Sequence, residues 1–73
     1  MLPLTVVETG KPFEIMKIGG NEETRRHLEA MGFVVGASVT VISEAAGNLI
    51  VCVKESRVGV GKNLAAKIMV QSA

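Results

Sequence analysis

The chain is poor in aromatic residues and has almost no cysteine. Its 73 residues contain no Trp, no Tyr, two Phe and a single Cys. Proteins that bind single-stranded nucleic acid stack bases on aromatic side chains, and two Phe make a poor platform for this. One Cys allows neither an intrachain disulfide nor a thiolate zinc cluster. A disulfide-stabilised scaffold and a zinc-cluster domain are therefore excluded, and a reducing compartment is expected.

The sequence also lacks an excess of charge of either sign and a long apolar run. Eight basic and seven acidic residues give a formal net charge of +1. Binding to nucleic acid through its phosphates normally requires a basic patch, so no nucleic-acid partner is expected. The longest apolar run, residues 49–53, is too short to cross a bilayer, and the N-terminus does not look like a signal peptide. We expect a cytoplasmic protein without direct membrane insertion.

What the sequence does contain is a series of short segments rich in Val and Ile, separated by turn residues. Apolar residues make up 48% of the chain, and β-branched residues favour strands. Alternation of apolar and polar residues predicts five strands, within residues 13–18, 38–44, 49–54, 57–61 and 67–71. A sheet this small is best stabilised by curling into a barrel. The prediction is a single domain over residues 1–73, mainly β, with a small five-stranded barrel.

One helix is predicted after the first strand, over about residues 22–31. Asn21 is a favourable N-cap residue, and the two glutamates that follow it lie where the helix dipole favours negative charge. Gly32 fits the position after the helix end, where a left-handed backbone is common. Gly36 follows where a turn requires positive φ. The sequence therefore predicts a short capped helix with a tight exit into the next strand.

Few residues suggest catalysis or metal binding. Glu23 and His27 are one helical turn apart and could chelate a divalent ion such as iron or zinc. Two ligands on a solvated helix face bind weakly, however, and a stabilising i,i+4 pair is the preferred interpretation. Cys52 lies in mid-strand with no base beside it in sequence, so it is interpreted as a small buried hydrophobe rather than a nucleophile. No enzyme and no firm cofactor is predicted.

Three bulky residues crowd the exit from the predicted helix. Met31, Phe33 and Val34 surround a tight turn and cannot all point inward. They are either core residues or part of a surface that a partner protein recognises, and for Phe33 and Val34 both interpretations stay open. In the second case Arg25 and Arg26 would add electrostatic steering. These five residues form the predicted partner-binding surface.

The ordered series of motifs resembles the ferrous iron transport protein A (FeoA) family. Residues 18–42, IGGNEETRRHLEAMGFVVGASVTVI, have the family's glycine turn, its RRxLExMGF helix exit and its xxG turn. Residues 48–70, NLIVCVKESRVGVGKNLAAKIMV, resemble the family's hairpin, short connector and closing strand. The departure is Val35, because many relatives have Pro before the turn glycine.

This resemblance implies an SH3-like barrel and a non-enzymatic accessory role in ferrous iron uptake. The implied partner is FeoB, a membrane iron permease with a cytosolic G-domain, which would hold the protein at the inner face of the membrane. The expected state is a monomer or weak homodimer. The same barrel occurs as the C-terminal domain of metal-dependent repressors, so a metal-binding or metal-sensing barrel is the alternative. An adaptor for Pro-rich peptides would need an aromatic-lined groove, which two Phe can scarcely form.

Overall fold

Six antiparallel strands form one sheet in the computed structural model, which describes residues 1–73. The strands are β1 (Leu2–Pro3), β2 (Pro12–Ile18), β3 (Ser38–Ala45), β4 (Asn48–Val53), β5 (Ser56–Gly61) and β6 (Ile68–Ser72). A 3-10 turn at Leu4–Val6 follows β1, helix α1 (Glu22–Ala30) connects β2 to β3, and helix α2 (Lys62–Ala65) connects β5 to β6. The order across the sheet is β1-β6-β2-β3-β4-β5.

The predicted mainly β fold, with its helix after the first long strand, is confirmed with three differences, the first of which is the additional short helix α2. The structure has a sixth, very short strand, because Leu2 and Pro3 pair with residues of β6. Helix α1 ends at Ala30 rather than one residue later, because Met31 is already its C-cap. Neither helix has the length and apolar character that crossing a membrane would require.

Two β-bulges explain why the apolar pattern of the strands is imperfect. The pairing of β2 with β6 shifts after Ile15, so the next buried residue of this strand is Ile18. The pairing of β3 with β4 shifts between Val41 and Ser43, at Ile42, which is 38% exposed. A bulge places two residues opposite one and re-aims the side chains beyond it. The alternation in sequence is therefore interrupted at both places although each strand continues.

One apolar core holds the sheet and helices together, and no polar side chain is buried in it. Stability therefore depends on apolar packing, at roughly 25 cal/mol for each Å² removed from water. Cys52, predicted to be buried, is only half-buried, because it alternates with the inward-facing residues of β4. The core residues are Leu4, Phe13, Ile15, Ile18, Leu28, Phe33, Val39, Val41, Leu49, Val51, Val53, Val60, Ala65, Ile68 and Val70.

The predicted N-cap of α1 is confirmed. Asn21 has an extended backbone, with φ −81° and ψ 175°, and its Oδ1 accepts a hydrogen bond of 2.8 Å from the Thr24 N–H. This bond satisfies one of the N–H groups that a helix start leaves without a partner. The capping residue also sets the point at which the chain leaves the β2 end of the sheet and becomes helical.

Replacing Asn21 with Ala is expected to lower the free energy of unfolding by about 1 kcal/mol, because the Thr24 N–H loses its acceptor. Urea unfolding followed by far-UV circular dichroism measures the change. Asn21→Ser keeps a capping oxygen and is the matched control, which should lose much less. Equal stability of Asn21→Ala and the unmodified protein would contradict the role of the cap.

Candidate partner-binding surface

Helix α1 ends in a Schellman motif, which determines where the side chains of the helix exit point. Gly32 has φ +105°, and its N–H donates to the Glu29 carbonyl oxygen at 2.9 Å. The Phe33 N–H donates to the Leu28 carbonyl oxygen at 3.0 Å. In this motif the residue after the left-handed glycine commonly packs back against the last turn of its helix. Phe33 and Leu28 both belong to the core with no exposed surface.

The structure assigns Phe33 to the core and removes it from the predicted partner-binding surface. Its side chain is 0% exposed and is among the largest fully buried side chains of the protein. The hypothesis that Phe33 presents its ring to a partner is therefore wrong, and its interpretation as a core residue is correct. Met31 and Val34 are half-buried, and Met31 packs against the core. For these two residues partner binding stays a prediction.

A β-turn at residues 34–37 holds Val35 outward, and sequence reasoning had not selected this residue. The Ala37 N–H donates to the Val34 carbonyl oxygen at 3.0 Å, and Gly36 has φ +93°. These features are typical of a type II turn in which Val35 occupies the second position, i+1, and Gly36 the third. Pro is also common at position i+1 of such turns. Val35 is 65% exposed. The positive φ predicted at Gly36 is confirmed, and the turn position was the signal that could have identified Val35.

This turn is fixed to the sheet by two backbone hydrogen bonds with Ile15 of β2. The Gly36 N–H donates to the Ile15 carbonyl oxygen at 2.8 Å, and the Ile15 N–H donates to the Ala37 carbonyl oxygen at 2.9 Å. The exposed Val35 is therefore carried by a turn that is hydrogen-bonded within itself and to a buried strand. A partner would find it already in position, with little backbone entropy to lose on binding.

Val35 borders an open groove that runs beside α1. The groove, called the α1 groove below, has a volume of about 360 Å³. It brings the end of β2, the exposed face of the helix and the turn that follows the helix to one place, and both predicted arginines line it. Its lining residues are Ile18, Glu22, Arg25, Arg26, Glu29 and Val35.

The two arginines of the α1 groove differ in their ion pairing. Arg26 Nη2 lies 2.7 Å from Glu22 Oε1, so a carboxylate of the same helix already compensates its charge. The structure has two further ion pairs, Glu8–Lys11 and Glu44–Lys62, and neither involves Arg25 or Glu29. Arg25 and Glu29 are four residues apart on the helix but form no ion pair with each other, and both side chains are exposed. Of the two arginines of the α1 groove, Arg25 is therefore the one without an ion pair.

The two candidate metal ligands do not meet a third. Glu23 and His27 line a shallow depression on another side of α1, together with Arg26 and three uncharged residues. Nowhere in the chain do three or more His, Cys, Asp or Glu side chains come together in a way that could hold a metal ion. Nothing in this geometry favours iron or zinc binding at Glu23 and His27.

Comparison with known proteins relates the chain to a family of ferrous iron transport proteins. The FeoA domain model matches residues 2–72. A Methanocaldococcus jannaschii protein named for Fe(2+) transport protein A is 33% identical over 73 residues, which cover 100% of this chain and 89% of that protein. The crystal structure of an iron uptake regulatory protein (FeoA) is similar with a TM-score of 0.88 at 32% identity, covering 96% of this chain and 95% of that one.

The fold also occurs in a protein of a different class. A manganese-dependent transcriptional repressor is similar with a TM-score of 0.88, covering 97% of this chain but only 41% of the repressor. At 20% identity this likeness shows the fold alone. The predicted SH3-like barrel and the resemblance on which it was based are thus confirmed. Since the family model spans nearly the whole chain, the protein belongs to the FeoA domain family of ferrous iron transport proteins.

Proposed function

We propose that this chain is an accessory protein of ferrous iron uptake that binds the cytosolic part of the iron permease FeoB. Membership in the FeoA family supports a role in transport rather than in catalysis. The observation that carries the proposal is Val35, an exposed apolar side chain on a fixed turn beside a charged groove. In this role iron is the cargo of the permease and is not held by the accessory protein.

The composition of this surface fits recognition of a protein partner. Protein interfaces commonly combine a few apolar anchors with a polar rim that excludes water and sets orientation. Val35 supplies the anchor, and Arg25 supplies a charge without an intramolecular ion pair. Met31 and Val34 are half-buried and lie within four residues of Val35 in the sequence, and we propose that they extend the apolar area. We infer that an apolar pocket with a nearby carboxylate on the permease receives them.

The proposed location follows from the proposed partner. Binding to the G-domain part of the permease would place the protein in the cytoplasm at the inner face of the membrane. A metal-sensing function is not proposed, because the likeness to the repressor concerns the fold alone. Glu23 and His27 also lack the third ligand that such a sensor would need.

A binding assay with matched variants tests the proposal. The purified cytosolic part of the cognate permease is immobilised, and its affinity is measured for the unmodified protein, Val35→Asp and Val6→Asp. Val6 is 63% exposed, close to the 65% of Val35, but lies outside the α1 groove, so it is a control for the chemical change. Val35→Asp should weaken binding about tenfold or more, which corresponds to about 1.4 kcal/mol, while Val6→Asp should not.

Two outcomes of this assay would contradict the proposal in different ways. If Val35→Asp and Val6→Asp bind as well as the unmodified protein, the partner contacts another surface. If the unmodified protein fails to bind the permease at all, the proposed function itself is wrong. Two-dimensional NMR spectra of each variant establish that the barrel is intact before binding is measured.

A further inference from the structure

The charges that line the α1 groove are arranged so that the groove is complementary to itself. It holds two acidic and two basic side chains, and its apolar lining residues are Ile18 and Val35. Glu22 and Arg26 already pair with each other. This leaves one exposed cation, Arg25, and one exposed anion, Glu29, at the same groove and on the same helix.

The spacing of these two charges matches the symmetry of a two-fold dimer. Arg25 and Glu29 are four residues apart, so they lie roughly 6 Å from each other along the helix axis, at 1.5 Å per residue. The two-fold axis is placed midway between the levels of Arg25 and Glu29 and perpendicular to the helix. A second copy of α1 generated by this axis brings its Glu29 opposite Arg25 of the first copy, and its Arg25 opposite Glu29 of the first copy. In an isologous interface, residue i of one copy contacts residue j of the other copy, and residue j of the first contacts residue i of the second.

We propose that the α1 groove is a self-association surface, on which a second copy of this chain docks with its own α1 antiparallel. Two reciprocal Arg25–Glu29 ion pairs set the register of the two helices. Val35 of each copy, which is 65% exposed in the single chain, is covered by the other copy. This inference goes beyond the proposed function and does not depend on it, although a permease bound at Val35 would compete with the dimer.

The size of the groove predicts a weak and reversible dimer. A standard interface buries roughly 800 Å² on each partner, which would be about a fifth of the 4333 Å² surface of this chain. The six residues that line the α1 groove supply a smaller contact area than this. Exposed ion pairs are also screened by salt, with a Debye length of about 10 Å at 0.1 M ionic strength. Self-association should therefore be strongest at low ionic strength and decline as salt is added.

Charge reversal at the two positions gives a specific test. Arg25→Glu places two acidic side chains opposite each other at both reciprocal contacts, and Glu29→Arg places two basic ones there. Each variant alone should self-associate about tenfold or more weakly than the unmodified protein, since like charges at an interface are unfavourable. An equimolar mixture of the two variants should associate again. One variant then has two acidic side chains at positions 25 and 29 and the other has two basic ones, so each reciprocal contact joins opposite charges.

Sedimentation equilibrium over a concentration series at low salt measures each association constant, and far-UV circular dichroism shows that each variant is folded. Glu23→Arg, on the same helix but outside the groove, is the matched control and should associate like the unmodified protein. Restored association in the mixture, together with loss in both single variants, would establish the reciprocal pairing. An unmodified protein that stays monomeric, single variants that still associate, or a mixture that does not recover would each overturn the proposal. None of these measurements involves the permease.

Discussion

Replacing Phe33 with Ala is expected to lower the free energy of unfolding by about 3–5 kcal/mol, the cost of truncating a fully buried aromatic side chain. Domains of this kind have roughly 0.05–0.15 kcal/mol of stability per residue, so this loss removes a large part of the total. The Phe33 ring fills space in the core, and the Phe33 backbone N–H takes part in the Schellman motif that ends α1. Removing it leaves a cavity next to a helix end that the rest of the barrel cannot easily close.

Equilibrium urea unfolding, followed by circular dichroism, measures this effect. Val35→Ala is the matched control, because it truncates an apolar residue two positions away that is 65% exposed. Surface substitutions of this kind usually change stability by less than about 0.5 kcal/mol. Should Phe33→Ala be unfolded without urea, Phe33→Leu gives a smaller loss that can be measured. A loss below about 1 kcal/mol for Phe33→Ala would contradict the complete burial of the ring.

The contrast between Phe33 and Val35 shows what the sequence could and could not predict about the candidate surface. Bulk alone does not distinguish a core residue from an exposed one when several apolar residues follow a helix. The backbone geometry does, because the left-handed Gly32 returns the next residue to the helix that has just ended. The turn at Gly36 then carries Val35 outward. Two successive turns that depend on glycine therefore bury Phe33 and expose Val35, although the two residues are neighbours in the sequence.

The fold was more predictable than the surface, because its strands depend on local patterns. Val39 and Val41 of β3 alternate with the polar Ser38 and Thr40 in the sequence, and both valines are buried in the structure. The bulges in β2 and β3 were not predictable, since a bulge is defined by the register of a partner strand that is distant in sequence. The α1 groove was not predictable for the same reason. Ile18 and Val35 are distant in sequence and approach each other only after α1 has folded between them.

The turn between β4 and β5 is another place where the structure departs from the sequence prediction. Residues 55 and 56 were expected to form the link, but Val53 pairs with Ser56, so the link is Lys54–Glu55. Both residues have positive φ, +50° and +64°. A two-residue hairpin link with this backbone is a type I′ turn, which favours Asn-Gly. Lys and Glu carry no such preference, which is why the turn was misplaced by one residue.

Replacing Lys54–Glu55 with Asn–Gly is therefore expected to raise the free energy of unfolding by about 1–2 kcal/mol, because residues with a β-carbon are disfavoured in this conformation. The side chain of Lys54 extends toward the end of α1, since its Cγ and Cδ lie within 4.0 Å of the point that a β-carbon at Gly32 would occupy, so removing this side chain should offset part of the gain at position 54. Glu55→Gly alone avoids that loss and should account for most of the effect. Urea unfolding of the two single variants and the double variant separates these contributions.

The hairpin between β3 and β4 provides an internal control for this argument. Its two-residue link is Ala46–Gly47, with φ +50° and +81°, so it already has Gly at the second position. Gly47→Ala should lower the free energy of unfolding by about 1 kcal/mol, even though nothing lies within 4 Å of the added methyl group. A loss at Gly47 together with a gain at Glu55 would show that backbone conformation, rather than side-chain contact, determines both effects. Equal stability of all these variants would mean that the positive φ angles cost this protein nothing.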